Sequence, residues 1–229
     1  GGVRGRRTTL TVRSAYLDRW YQVPDGAALL VSVLLAPRPG ERVLDLCAGR
    51  GGKTGHIAQL MRNRGVIIAA DANSGRLAQL RGEMQRLGVA IAAAEQWDAA
   101  GRPPDAFNGR FDRALLDAPC SGLGTLGRNP DIRWSSSMHE LRALSRMQTR
   151  LLEHAAYCLK PGGVLVYSVC SPEPEETEAV VKAFLMKNRT FRVENRTDDL
   201  PEFVRPLLDS KGCLQTYPHL RYMDGFFAV

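Results

Sequence analysis

The chain has 229 residues, 44% of them hydrophobic and 24% charged, with a formal net charge of +7. That length suits one main domain built on a single sizeable core, and no apolar run approaches the roughly 18 residues that a membrane-spanning helix needs, so the composition is that of a soluble globular chain. A sequence pI of about 9.4 favours a polyanionic partner such as nucleic acid, although an arginine-biased composition would produce the same balance.

Five cysteines make an odd number, and none is spaced as a CxxC pair, so free thiols in a reducing, cytoplasmic setting are expected and no metal is. The opening "GGVRGRRTTL" carries neither Met nor a hydrophobic signal core, and an excised fragment of a longer protein is expected. Residues 1 to 20 read as a basic lead-in. "YQVPDGAALLVSVLLAPRPG" then reads as one helix capped by Asp25 and stopped by Pro37, and a main domain follows from residue 41 to 229.

From Glu41 onward, short apolar runs alternate with helical periods. "RVLDL", "GVIIAAD", "FDRALLDAP" and "GGVLVYSVC" read as buried strands, while "GHIAQLMRN", "SGRLAQLRGEMQRLG" and "MHELRALSRMQTRLLEHAAYCLK" carry apolar residues three and four apart. Such alternation predicts an α/β fold with a mostly parallel sheet, right-handed crossovers and helices on both faces. "PGG" at 161 to 163 is expected to end the long helix and turn into the next strand.

In "VLDLCAGRGGKTGHI", Gly49, Gly51 and Gly52 fall between the first strand and a helix, where backbone approaches a ligand at a positively polarised helix N-terminus. "GGKT" is not a phosphate-binding P-loop, because Cys47 stands where that motif requires Gly. The dinucleotide fingerprint fails as well, since Thr54 occupies its third glycine position. What remains is a loop of Cys47, Ala48, Gly49, Arg50, Gly51, Gly52 and Lys53, with Asp71 ending the second strand at a distance suited to ribose hydroxyls. Adenosine recognition without a pyrophosphate suits S-adenosylmethionine. A tight turn with Asp71 capping the next helix is the plainer alternative. Asp98 in "EQWDAA" is placed to close the third strand over the adenine.

Cys47 and Cys158 read as core thiols, whereas Cys120 and Cys170 each follow a strand and lead into a loop on the sheet edge that holds the cofactor site. Each is followed at once by serine.

"LDLCAGRGGKT", "DANSGRL", "FDRALLDAPCSGLGTLGRNPDIRW", "VYSVCSPEPEE" and the terminal "DGFFAV" together resemble the NOL1/NOP2/Sun family of RNA cytosine-5 methyltransferases, and within it the bacterial ribosomal RNA branch. The likeness runs from about Val23 to Val229. It implies a Rossmann-like methyltransferase fold over residues 41 to 229, with residues 1 to 40 flanking the cofactor site, S-adenosylmethionine as cofactor, and 5-methylcytidine in RNA as product. Ribosomal RNA is implied ahead of transfer RNA, with no membrane partner.

The resemblance also assigns roles. Cytosine C5 is a poor nucleophile until a thiolate adds at C6 and converts the ring to an enamine. Cys170 matches the family's nucleophile, Cys120 the cysteine that assists product release, and Asp117 a contact beside the cofactor and the base. Lys53 either places charge near the site or serves as a partner for the cofactor carboxylate or for Asp117. The chain departs from the family pattern at Arg50, where Pro is usual, at "VPD" (Val23 to Asp25) in place of "VQD", and at Val169 in place of Thr.

"GRNPDIRW" adds Arg128, Arg133 and Trp134 just past Cys120, a mixture that stacks bases and grips phosphates in single-stranded RNA. A structured loop with Trp134 buried under the following helix is the competing expectation. Two other classes remain open at this stage: a methyltransferase with another acceptor, and a non-catalytic RNA-binding or ribosome-assembly factor that retains the fold.

Overall fold

The computed structural model describes residues 26–134, 137–195, 200–217 and 224–229. Asp25, the "VPD" element and the basic lead-in lie outside the described residues.

Helix α1 (Gly26–Leu35) precedes β1 (Arg42–Leu46), and α2 (Gly52–Leu60) leads to β2 (Val66–Asp71). There follow α3 (Ser74–Leu87), β3 (Ala92–Gln96) and β4 (Phe111–Asp117), then α4 (Met138–Cys158), β5 (Leu159–Val169) and α5 (Glu178–Lys187). Two short strands, β6 (Leu214–Thr216) and β7 (Phe226–Ala228), complete the described elements. Among the described residues seven strands form one sheet in the order β3-β2-β1-β4-β5-β7-β6. The pairs among β1 to β5 are parallel, and β7 is antiparallel to both β5 and β6. Strand order reverses between β1 and β4, and in open α/β sheets ligands bind at the carboxyl ends of the strands at such a switch point.

Central strands are apolar on both faces because helices cover both. On one face Leu151, Leu152 and Ala155 of α4 and Val180 and Phe184 of α5 pack with Leu44, Leu46, Phe111 and Tyr167. On the other, Leu30, Val31 and Leu35 of α1 and Ile57 and Met61 of the α2 region pack with Val43, Ile67, Leu115 and Val166. Leu80 and Met84 of α3 close over Ala69. α4 is started by a reciprocal capping box, in which Glu140 N donates to Ser137 Oγ at 3.2 Å and Ser137 N donates to the Glu140 carboxylate at 2.7 Å.

One expectation changes. The long helix ends at Cys158, and Leu159 already pairs with Phe111, so "PGG" does not terminate the helix. The register instead shifts between Phe111 and Arg113, and Pro161 to Gly163 form an irregularity inside β5 with Gly162 at φ 78. The antiparallel β6 and β7 pair and α5 were not anticipated, because three-residue strands and one short helix carry too little periodicity to read.

Candidate active site

The glycine loop turns tightly out of β1. Cys47, Gly49 and Gly51 all have positive φ, of 60, 59 and 86, and Gly51 is the residue that caps α2. A Cβ on Gly51 would stand 2.9 Å from Leu80 Cγ, so α3 packs where a side chain would be. Both carboxylate oxygens of buried Asp71 accept backbone N–H groups, from Gly49 at 2.9 Å and from Asn73 at 2.8 Å. Asp71 therefore ties the glycine loop to the α3 entry. It is not the α3 cap, which is Asn73, whose side chain accepts from Arg76 N at 3.0 Å.

Asp98 lies two residues beyond β3, exposed, with Oδ1 accepting from Ala100 N at 3.0 Å. Burial pushes the Cys47 thiol up to about 12, and Asp71, Asp117, Asp45 and Asp98 all push in the same direction. The Cys47 thiol is thus disfavoured as a nucleophile, and four carboxylates lie near enough to it to act on one thiol. This acidic surrounding opposes a polyphosphate and suits a ribose next to a cationic sulfonium, which is the donor chemistry that S-adenosylmethionine presents.

Lys53 leaves the first turn of α2, and its Nζ stands 2.5 Å from Asp117 Oδ2 at the end of β4. Asp117 Oδ1 accepts from Ser168 Oγ at 2.8 Å, and Ser168 is its register partner on β5. Burial alone would push the Lys53 pKa down, but Asp117 outweighs it and holds the ammonium above its usual range. Lys53 Nζ also stands 5.6 Å from the centre of the Phe226 ring on β7. Lys53 thus pairs with Asp117, and its charge also acts on Cys170.

The thiols of Cys120 and Cys170 meet, Sγ to Sγ, at 3.2 Å, and both are free. The hydrogen bond from Cys120 is the largest influence that pulls the Cys170 pKa below its usual value; burial and Asp117 oppose it, while Lys53 and the Cys170 backbone N–H assist. Cys120 is pushed up by the same bond and by burial. Of the two, Cys170 is the thiol drawn toward its thiolate and Cys120 the one drawn away from it. The loops that carry them are in close contact: Gly124 N donates to Cys170 O at 3.0 Å, Gly225 N donates to Gly124 O at 2.8 Å, and a Cβ on Gly124 would fall 2.0 Å from Gly225 O. Cys158 is buried in the core as expected, with burial raising its pKa to about 12.

Two buried carboxylates went unnoticed in the sequence. Asp45, in the middle of β1, accepts from Thr54 Oγ1 at 2.6 Å through one oxygen and has no partner for the other. Glu176, fully buried, accepts from Ser121 N at 2.9 Å, Ser121 Oγ at 2.5 Å and Gln148 Nε2 at 3.0 Å. Nothing in "SPEPEE" marks Glu176 over its acidic neighbours.

Trp134 is 79% exposed, which overturns the expectation that α4 buries it. The Arg133 guanidinium lies 4.6 Å from the centre of its ring. Arg128 is engaged by Asp224 in an ion pair, so it braces the loop against the entry to β7 as well as carrying charge. Arg50 is exposed in the glycine loop.

A glycine loop, an acidic end to β2 and an inserted antiparallel β7 on an otherwise parallel sheet define the Rossmann-like fold of S-adenosylmethionine-dependent methyltransferases. Residues 32–229 match the 16S rRNA methyltransferase RsmB/F family, and the chain belongs to that family. It is 39% identical over 226 residues to the probable ribosomal RNA small subunit methyltransferase B of Synechocystis, covering 97% of this chain and 50% of that protein. The corresponding Bacillus subtilis protein is 37% identical over 206 residues, covering 90% of this chain and 46% of that one. The chain thus spans about half the length of these curated relatives. The structure of NSun6 from Pyrococcus horikoshii, solved with SFG, superposes with a TM-score of 0.79 at 29% identity, over 95% of this chain and 54% of that one.

Proposed function

We propose that this protein transfers a methyl group from S-adenosylmethionine to C5 of a cytidine in ribosomal RNA, in the cytoplasm. The observation that carries this reading is the Cys120–Cys170 contact beside Lys53, because two apposed thiols have no use in methylating an amine or a hydroxyl. The relatives named as ribosomal RNA methyltransferases and the neighbour solved with SFG, an analogue of S-adenosylmethionine, support it.

The glycine loop with Asp71, Asp98 and Asp117 would hold S-adenosylmethionine, which would supply an electrophilic methyl on a sulfonium. The chain supplies the rest. Cys170 adds through its thiolate to C6, and electron density moves to C5, which then accepts the methyl. Asp117, held by Lys53 and Ser168, faces the N3 and amino edge of the base. A base takes the C5 proton as the C6–S bond breaks, the electron pair restores the ring and the Cys170 sulfur leaves as thiolate, and Cys120 assists that release. Arg133 and Trp134 form a stacking platform for single-stranded RNA.

The test is methyl transfer from labelled S-adenosylmethionine to unmodified ribosomal and transfer RNA, with 5-fluorocytidine RNA as a covalent trap. Transfer and trapping that vanish in Cys170→Ala support the reading. A parent protein that binds the cofactor and RNA but neither methylates nor traps is instead an RNA-binding or assembly factor.

A further inference from the structure

We propose that Glu176 is a positioning residue that clips the two cysteine-bearing loops together and so keeps Cys120 in reach of the Cys170 sulfur for product release. This rests on the methyl-transfer reading above and extends it to a residue that touches neither sulfur.

Cys120 and Cys170 sit at the ends of different strands, each followed by a serine, and the serines are where the loops join. Ser121 Oγ and Ser171 Oγ are 3.2 Å apart, and Glu173 N donates to Ser171 Oγ at 3.2 Å. The Glu176 side chain reaches back from six residues beyond Cys170 and takes two hydrogen bonds from the residue directly after Cys120, one from its backbone at 2.9 Å and one from its hydroxyl at 2.5 Å. Gln148 on α4 donates to the same carboxylate at 3.0 Å and to Pro119 O at 2.9 Å, which braces the residue directly before Cys120. Tyr167 OH donates to Glu176 O at 2.6 Å and fixes the backbone that carries the clip.

A fully buried carboxylate is unfavourable unless it is well supplied with donors, and this one draws all its side-chain donors from the Cys120 loop and the helix that backs it. Cys170 is held differently. It follows β5 directly and stays near Lys53 whether or not Ser121 is anchored. Losing Glu176 therefore loosens Cys120 and leaves Cys170 in place.

Assayed at alkaline pH, where the Cys170 thiol ionises without its Cys120 donor, addition at C6 and methyl transfer should then persist for one turnover while elimination stalls. With unmodified small-subunit ribosomal RNA transcribed in vitro, Glu176→Ala should lower multiple-turnover methylation by about tenfold or more, keep single-turnover methylation, and accumulate a protein–RNA adduct on a denaturing gel as Cys120→Ala does. Glu176→Gln keeps one acceptor oxygen for Ser121 N and Gln148, and should restore most of the turnover and reduce the adduct. Ser121→Ala, which keeps the backbone donor, should give an intermediate adduct, and it carries the test if Glu176→Ala does not fold.

A structural role alone would lower the melting temperature and S-adenosylmethionine affinity without any adduct. The proposal is overturned if Cys120→Ala accumulates an adduct while Glu176→Ala and Ser121→Ala do not, or if Glu176→Ala turns over like the parent. Should Cys120→Ala itself form no adduct, the two-thiol reading fails first, and the role of Glu176 fails with it.

Discussion

The sulfur of Cys170 stands 3.2 Å from that of Cys120 and within the field of the Lys53 ammonium. This pairing makes the two thiols unequal: one is drawn toward the thiolate and the other is kept protonated as its donor.

Alkylation should report that inequality. Cys170 should react with iodoacetamide ahead of Cys120, with a pH midpoint below that of an ordinary thiol. Cys120→Ala removes the largest stabilising bond and should move the Cys170 midpoint upward, and Lys53→Met should move it the same way by a smaller step. Rates followed by peptide mass spectrometry from pH 6 to 10 check the order, and a midpoint that stays fixed in Cys120→Ala counts against a donor role.

Asp71 uses both oxygens to hold backbone, so Asp71→Asn puts an amide N–H₂ against either Gly49 N or Asn73 N. Leaving such a donor unpaired costs about 1–3 kcal/mol. S-adenosylmethionine affinity should fall roughly tenfold to a hundredfold on that scale, with RNA affinity unchanged. Calorimetric titration separates the two.

Asp45 should make stability fall with rising pH. Burial raises its pKa to about 7 against Thr54 and Lys53, with Asp117 and Asp71 adding to the rise. Between about pH 4 and pH 7 the folded chain therefore holds a proton that the unfolded chain has released, so the carboxyl contributes a destabilisation that grows through that window and is complete above it. Asp45→Asn mimics the protonated form and should be the more stable protein at pH 8, by on the order of a few kcal/mol, with the difference vanishing near pH 4. Urea unfolding of the two proteins across pH 4 to 8 measures it.

Arg133 and Trp134 should separate on salt. Arg133→Ala removes a cation and should reduce the slope of log affinity against log salt by about 0.7 for a single-stranded target. Trp134→Ala should weaken binding by about 1–3 kcal/mol through lost stacking and leave the slope alone. Neither should change S-adenosylmethionine binding.

Local chemistry carried most of the reading from sequence. Strand and helix periods of 2.0 and 3.6 residues, and glycines where positive φ is required, are properties of neighbouring residues. The parallel core, the glycine loop and the burial of Cys158 were legible on that basis, and the motifs singled out Asp71, Cys120 and Cys170 as candidates. Tertiary structure alone decided which groups meet. Asp117 and Lys53 are 64 residues apart, the two thiols 50, and Ser121 and Glu176 55, and no local pattern encodes such contacts. The same holds for exposure. Trp134 sits three residues before the helix N-cap Ser137, and whether it is covered depends on the packing of α4, which the residues around it do not specify. The chain's own order names the candidate residues, and the parallel sheet, by bringing the ends of β4 and β5 side by side, brings them together.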